Sequence, residues 1–313
     1  LSPAKPAVAI VGAGSLATFL AVALHRANFT ITEIIARNLP NSRRRARSLA
    51  ATVGAQAVSL DSAELRADLL WFCVPDRDIR SAASDLANRL KYLALAPRQP
   101  NLKVKLQGKG SAKVHGEGKA RGHFAFHSSG ALLSRELDPL RKLAMAVASV
   151  HPLMTFVRGA HPSLTNVPFA LEGDAAARQV AQRIVRQLGG KNFSLTPSRK
   201  SAYHAWATMA SPLLLSFLVT LEDSARAAGL SRLEARRMSL PIIRQTLANY
   251  SRLGPAQSFS GPLIRGDVQT VAKHLAAMKK QPLAREVYIA LARAALHGLP
   301  VKNRDKLKRL LKT

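Results

Sequence analysis

Gly12-Ala13-Gly14-Ser15-Leu16-Ala17 stands between an apolar run, Ala7 to Val11, and a stretch in which Leu16, Phe19, Leu20, Ala23 and Leu24 recur at helical spacing. In this strand, turn and helix setting each position has a job. The first glycine permits the tight turn, the second lets a pyrophosphate approach the backbone, and the small Ala17 lets helix and strand pack closely. The helix start adds free N–H groups and positive potential. The chemistry on offer is dinucleotide binding through Gly12, Gly14, Ser15 and Leu16; the plainer alternative is an empty turn of the same shape.

The next apolar run, Ile31 to Ala36, ends at Arg37-Asn38, with Ser42 and Arg43 soon after. An acid at this point grips the ribose 2′-hydroxyl of NAD, whereas a guanidinium suits the 2′-phosphate of NADP by paired, charge-assisted hydrogen bonds. Arg37 and Arg43 therefore favour NADP, while Arg44, Arg45 and Arg47 fit a solvated basic loop. Val74-Pro75-Asp76 closes a buried strand pattern at the end where ligands of parallel sheets collect. Val74 and Pro75 are expected to line the cofactor, and Asp76 either faces the site or caps the following helix. His127-Ser128-Ser129-Gly130 closes another strand, and its small hydroxyls fit a nicotinamide or substrate edge. His151-Pro152 closes a third, where a turn histidine and a functional one are both open readings.

Further along, Lys200, His204, Thr208 and Ser211 share one helix face by spacings of four, four and three. A polar stripe on an apolar helix needs a reason, because unpaired buried polar groups are costly. Facing an interdomain cleft would supply one; a solvated Lys200 is the alternative. Gly261 to Asp267 is a turn-rich loop in which Arg265 either grips a substrate carboxylate or pairs with Asp267.

These residues need a scaffold. The first half alternates strand and helix patterns, as in a mostly parallel sheet covered on both faces. Strands are expected near Ala7–Val11, Ile31–Ala36, Leu69–Val74, His123–His127, Ala146–Val150 and Phe169–Leu171, with a helix over about Ile79–Leu90 and another over Ala177–Leu188. The stretch from about Tyr92 to Gly122 is rich in glycine, proline and lysine, and reads as an exposed, partly disordered insertion. Beyond Pro197 strand signals vanish. Arg199–Ala228 reads as a long, buried, apolar helix kinked near Pro212. Ser231 with Glu234 makes a capping box, Asp267 can cap a helix, and Pro282 can start one.

Lysine and arginine number 47 against 18 acidic residues, a net charge of +29. Basic clusters lie at Arg43–Arg47, Arg98–Arg121 and Lys302–Lys312, yet +14 remains without them. Such a field attracts phosphorylated or carboxylated ligands, and nucleic acid nonspecifically. The clusters lack interleaved aromatics, so a dedicated nucleic-acid role is not expected. The single cysteine, Cys73, excludes an intramolecular disulfide and an all-cysteine metal site, and no metal is expected. The dense apolar stretch Pro212–Leu221 is too short to span a bilayer. Together with the absence of a signal-peptide pattern at the first residues, these features point to a cytoplasmic protein and no membrane partner.

As an ordered set, VGAGSLA, FHSSGAL, ASVHPLMTF, PFALEGD, KSAYHAWATMAS and SGPLIRGDVQTVAKHL resemble the Rossmann-like and DUF2520 domain proteins. These are relatives of pyrroline-5-carboxylate reductase, ketopantoate reductase and the 6-phosphogluconate dehydrogenase superfamily. The resemblance implies an α/β Rossmann domain over residues 1–197, an all-α substrate and dimerisation domain over 198–300, and a basic tail over 301–313. It also implies a homodimer through the helical domain, NADP or F420 as redox partner, and a lysine followed by His or Asn doing proton chemistry, a pattern matched by Lys200 and His204. Related sequences often carry Asn after the Ala-Ser of this helix; here Pro212 follows Ala210-Ser211, so the amide contact to substrate is not expected, and Ser211 and Arg265 are the substrate-binding candidates. The expected activity is NADP-dependent reduction of a small carbonyl or imine acid, with Arg265 on the substrate carboxylate. A noncatalytic, NADP-responsive regulator is the alternative, because fold does not fix function.

Overall fold

The computed structural model describes residues 5–95, 124–160 and 162–312, which form two compact units, Leu1–Ala207 and Thr208–Thr313. The first holds eight strands: β1 (Val8–Val11), β2 (Ile31–Ile35), β3 (Gln56–Val58), β4 (Leu69–Phe72), β5 (Phe124–His127), β6 (Ala146–Pro152), β7 (Pro168–Gly173) and β8 (Lys191–Ser194). They make one sheet in the order β3-β2-β1-β4-β5-β6-β7-β8. Only the β6–β7 pair is antiparallel. Helices α1 (Ser15–Arg26), α2 (Pro40–Val53), α3 (Asp76–Leu95), α4 (Asp138–Arg141) and α5 (Ala175–Gln187) connect them.

Both faces of the sheet are covered, which is why β1 and β4 are apolar at every position rather than alternating. Ile10, Trp71, Phe126 and Ala148 pack with α1, α2 and α5 on one side. Val11, Leu70, Phe72 and Val147 pack with Ile79, Ala83 and Leu86 of α3 on the other. Trp71 and Phe126 meet edge to face at 5.4 Å between centroids, both fully buried. The expected doubly wound sheet is present, with two short edge strands, β3 and β8, added. The expected solvated loop of arginines is instead the helix α2, opened by Pro40 at its first turn. Helix α3 runs on to Leu95, past the expected start of the insertion; the rest of that expectation, 96–123, lies outside the described residues.

Residues Pro197–Ala228 are helical throughout: a 3₁₀ turn, α6 (Lys200–Thr208), a π turn at Met209–Leu213, α7 (Leu214–Ser224) and a final 3₁₀ turn. The π turn surrounds Pro212, whose missing N–H and bulky ring disfavour the regular i→i−4 bond. The expected burial is not found. Trp206, Met209, Leu213, Leu214, Leu215 and Val219 are all exposed. The stretch is also longer than its dense apolar centre, and by length and a mean hydropathy of 1.4 it meets the requirements of a membrane span, correcting the estimate made on Pro212–Leu221 alone.

The second unit continues with α8 (Arg232–Ser258), α9 (Pro262–Arg265), α10 (Val268–Ala277), α11 (Pro282–Gly298) and α12 (Arg304–Leu310). Ser231 and Glu234 form the expected capping box, and Asp267 accepts from the Thr270 N–H at 3.0 Å and its hydroxyl at 2.6 Å. The core is small: Val271, Leu275, Ile289, Ala292, Leu296, Leu307 and Leu311. The expected basic tail is therefore part of the fold, because Leu307 and Leu311 anchor α12 in that core. The unit boundary after Ala207 places most of α6, with Lys200 and His204, in the first unit.

Candidate functional site

The glycine turn behaves as its sequence requires. Gly12 has φ +113°, and a Cβ there would stand 2.6 Å from the Cys73 carbonyl oxygen, so only glycine fits where β1 and β4 end side by side. A Cβ on Gly14 would meet nothing within 4 Å, leaving open space beside the start of α1. Ala17 is fully buried against the sheet.

Below the turn lies a cavity of about 390 Å³ lined by Gly12, Gly14, Arg37, Ser42, Val74 and Pro75, together with Arg45 and Asp78. Arg37 is 67% exposed and stands 3.7 Å from Asp78, whose Oδ2 is buried without a hydrogen-bond partner. Asp85 lines the same cavity, so its two guanidinium groups face two carboxylates, and the Arg37 end is the more exposed of the Arg37–Asp78 pair. The exposed Arg37 guanidinium stands where an acid gripping a ribose 2′-hydroxyl is usual. Arg43 does not line this cavity; it faces a separate one of about 230 Å³ with Asn38, Arg47 and Ser59. The cause is helical: residues two apart on α2 point about 200° apart, so Arg45 takes the inward position that the sequence reading gave to Arg43. Ser15 lines a larger cavity, about 880 Å³, on the other side of the turn, where Arg26, Arg45 and Arg158 also appear. Leu16 packs against the sheet core.

A polar cluster occupies the carboxyl ends of β5 and β6. Strand register puts His127, Ser149 and Glu172 in one row across β5, β6 and β7, on the face otherwise filled by Phe72 and Val11. Lys200 reaches this row from α6. Its ammonium donates to Ser149 Oγ, and the residue as a whole is 1% exposed. Ser149 in turn donates to the Ser129 carbonyl at 3.1 Å. Glu172 accepts from the Ser134 N–H at 2.7 Å and hydroxyl at 2.8 Å. Burial pulls the Lys200 pKa down to about 8, against the opposing pull of Glu172 and Asp76.

The serine hydroxyls expected to face a ligand are engaged within the protein. Ser128 Oγ accepts from the Trp71 indole at 2.9 Å, and Ser129 Oγ donates to Asp76 at 2.7 Å while accepting from the Ala131 and Leu132 N–H groups. Asp76 opens α3 and is the acceptor that fixes this loop. His127 binds the Leu133 carbonyl, and burial and the Lys200 charge lower its pKa to about 3. Above the loop lie two imidazoles. A Cβ on Gly130 would fall 2.6 Å from His204 Cδ2 and 2.8 Å from His151 Nε2, so glycine is required beneath them. His151 Nδ1 is 2.8 Å from the Tyr203 hydroxyl, and burial and Lys200 lower its pKa to about 4.

Lys200 and His204 are therefore brought to the strand ends that carry Ser128 and Ser129, but the Lys200 ammonium is sealed rather than presented. Ser211 and Arg265 belong to the second unit, where both are exposed, Ser211 in the π turn and Arg265 at the end of α9. Sequence reasoning missed Arg45, Ser149, Glu172 and Tyr203 and left His151 undecided. A signal was present: Ser149 and His151 alternate within an apolar strand, so both point to one face. Among the described residues no group of three or more His, Cys, Asp or Glu is placed to hold a metal ion.

Parallel sheet, glycine turn and helical second unit define a Rossmann-like domain joined to an all-α domain. Family models agree: the Rossmann-like domain matches residues 1–94, and the domain of unknown function DUF2520 matches 167–295. The chain is a Rossmann-like and DUF2520 domain-containing protein. No curated protein sequence matches it. Similar solved structures include a Bacteroides fragilis protein assigned as an NADP oxidoreductase, with 20% identity and TM-score 0.68 over 93% of this chain and 97% of that one. Protein TM1727 from Thermotoga maritima shares 23% identity at TM-score 0.65, over 92% and 96%. A reductive aminase from Aspergillus terreus, in complex with NADPH, shares 14% at TM-score 0.58, over 98% and 100%. At these identities the likeness is one of fold.

Proposed function

We propose that the protein is an NADP-dependent reductase of a small carbonyl or imine acid. The observation that carries this reading is the cavity at the Gly12–Gly14 turn, where Arg37 follows β2 in place of an acid and Ser42 and Arg45 of α2 face the same space, with Asp78 and Asp85 also in its lining. A bound NADPH would supply hydride. The protein's part is then to hold the cofactor by the turn and the two guanidinium groups, and to hold the substrate over the Gly130 loop. The buried Lys200 charge keeps that loop electropositive from below, which favours the negative charge that builds on a carbonyl oxygen during reduction. His204, half-buried one turn along α6, is the proton donor. Several structural neighbours carry names of this chemistry, among them a pyrroline-5-carboxylate reductase from Coxiella burnetii and an imine reductase from Pseudomonas.

The same reading includes a homodimer. Helices α7 and α8 expose Leu214, Leu215, Phe217, Val219, Leu240, Ile242, Leu247 and Tyr250, more apolar surface than a lone soluble chain ordinarily leaves in water. A protein partner fits this surface better than lipid. Ser216 and Thr220 interrupt α7, and Glu222 is held by Arg236 of α8 at 2.7 and 2.9 Å. The single buried thiol fits a reducing, cytoplasmic setting.

The test is titration calorimetry with NADPH and NADH, followed by NADPH oxidation over 2-keto acids and cyclic imines. NADPH is expected to bind at least about tenfold more tightly, about 1.4 kcal/mol, and one substrate class to be reduced. Equal affinities would remove the 2′-phosphate assignment, and binding without any turnover would remove the reductase.

A further inference from the structure

The strand-end cluster contains many polar groups, but almost all are spent on one another. Lys200 is sealed on Ser149; Ser149 is fully buried; Ser128 and Ser129 are bonded to Trp71 and Asp76; Glu172 is held by Ser134. His151 is different. Its Nδ1 meets the Tyr203 hydroxyl at 2.8 Å, the rings crossing edge to face at 5.6 Å. Its Nε2 makes no hydrogen bond among the described residues, and the ring is half-buried rather than enclosed. The bare Gly130 backbone lies directly under that nitrogen.

We propose that His151 is a catalytic residue, a neutral imidazole whose Nε2–H donates to the carbonyl oxygen or imine nitrogen of the substrate, with Tyr203 as its positioning residue. This deepens the reductase reading and rests on it. The tautomer follows from the partner. The Tyr203 phenol is buried, its pKa pushed up to about 12, so it keeps its proton, and the acceptor it has is Nδ1. That leaves the ring's hydrogen on Nε2. The ring stays neutral first because its burial disfavours charge, and then because the groups around it oppose its charging: Lys200 and His204 from α6, with His127 of β5 also nearby and Glu172 of β7 already turned toward Ser134. A neutral imidazole polarises a carbonyl without protonating it in the ground state, as in isomerases that use such a group as electrophile. Hydride addition to the carbon moves the π pair onto the heteroatom, against the Nε2–H. A bound NADPH would supply that hydride, and the heteroatom would take its proton from His204, which is then reprotonated from solvent.

The experiment uses the full chain labelled with ¹⁵N-histidine, and long-range ¹H–¹⁵N correlation to identify the ring state of His151. At pH 7 a neutral ring protonated on Nε2 is expected, unchanged down to pH 5; in Tyr203→Phe the single tautomer should be lost. An Nδ1–H ring or an imidazolium at pH 7 overturns the assignment. In parallel, with whichever carbonyl or imine acid the screen yields, His151→Ala should lower kcat about a hundredfold with NADPH affinity within about threefold, the effect of removing one preorganised donor. His151→Gln should recover part of that loss, since its amide N–H stands near the position of Nε2–H, and Tyr203→Phe should lower kcat with KM little changed. Wild-type turnover in His151→Ala defeats the proposal while leaving the reductase intact. If the unaltered chain reduces nothing, the reductase reading fails and the role of His151 fails with it, whatever its tautomer.

Discussion

The two units solve the same problem of burying apolar surface in different ways. In the first, Trp71, Phe72, Phe126 and Phe169 are fully buried between helices on both faces of the sheet, and every central strand is enclosed. In the second, seven core residues hold α10, α11 and α12 together, while α7 and α8 leave Leu215, Ile242, Leu247 and Tyr250 in solvent. An apolar helix is thus no guarantee of burial within its own chain. The helices cover the sheet on both faces, but α7 and α8 have too few neighbours to cover one another, and in the proposed homodimer a second copy would complete that core.

The sharpest way to break this contrast is at α7 and α8. Leu215→Glu with Ile242→Glu should turn the expected dimer into monomers at micromolar concentration, weakening association by about a thousandfold or more, about 4 kcal/mol. Sedimentation velocity would show it, and an unaltered chain that sediments as a monomer would remove the dimer outright. Next in size, Trp71→Ala in the first unit should cost about 3–5 kcal/mol in urea unfolding. Leu247→Ala should cost less than about 0.5 kcal/mol to the folding of the isolated chain. Comparable losses in dilute monomer would erase the difference between the units.

A pH effect should belong to the first unit. His127 and His151 have folded pKa values of about 3 and 4, well below the ordinary 6.5. Below pH 6.5 the unfolded chain takes up protons that the folded one refuses. The stability present in full above pH 6.5 is then lost as pH falls toward 4, by about 1.4 kcal/mol per unit for each ring. Lys200, lowered from 10.5 to about 8, adds stability as pH rises from 8 toward 10.5, for the same reason. Urea midpoints measured across these windows should slope accordingly, and His151→Gln should flatten the acid limb. The smallest expected effect separates two arginines of one helix. Arg45→Ala, like Arg37→Ala, should shrink the preference for NADPH over NADH by up to about tenfold. Arg43→Ala should leave it unchanged in the same calorimetric titrations.

Much of the first unit was legible in the sequence because local rules decide it. Continuous apolar runs must be enclosed strands, the Gly12–Gly14 spacing has one conformational use, and Ser231, Asp267 and Pro282 cap or open helices by chemistry confined to a single turn. Lys200 and His204 were visible as a polar stripe, and Arg37 as a base where an acid is usual. What only the tertiary structure decided depends on groups far apart in the chain. Whether Arg43 or Arg45 faces the cavity turns on α2 being a helix, which its arginines concealed. Lys200 is sealed because Ser149 lies 51 residues earlier on a strand that happens to end beneath it. The state of the His151 ring is set by Tyr203, 52 residues away, and by the missing side chain of Gly130. The exposure of α7 and α8 was hidden for a related reason. Hydropathy shows that a helix must be covered, but not whether the cover comes from its own chain, because the pattern is the same in either case.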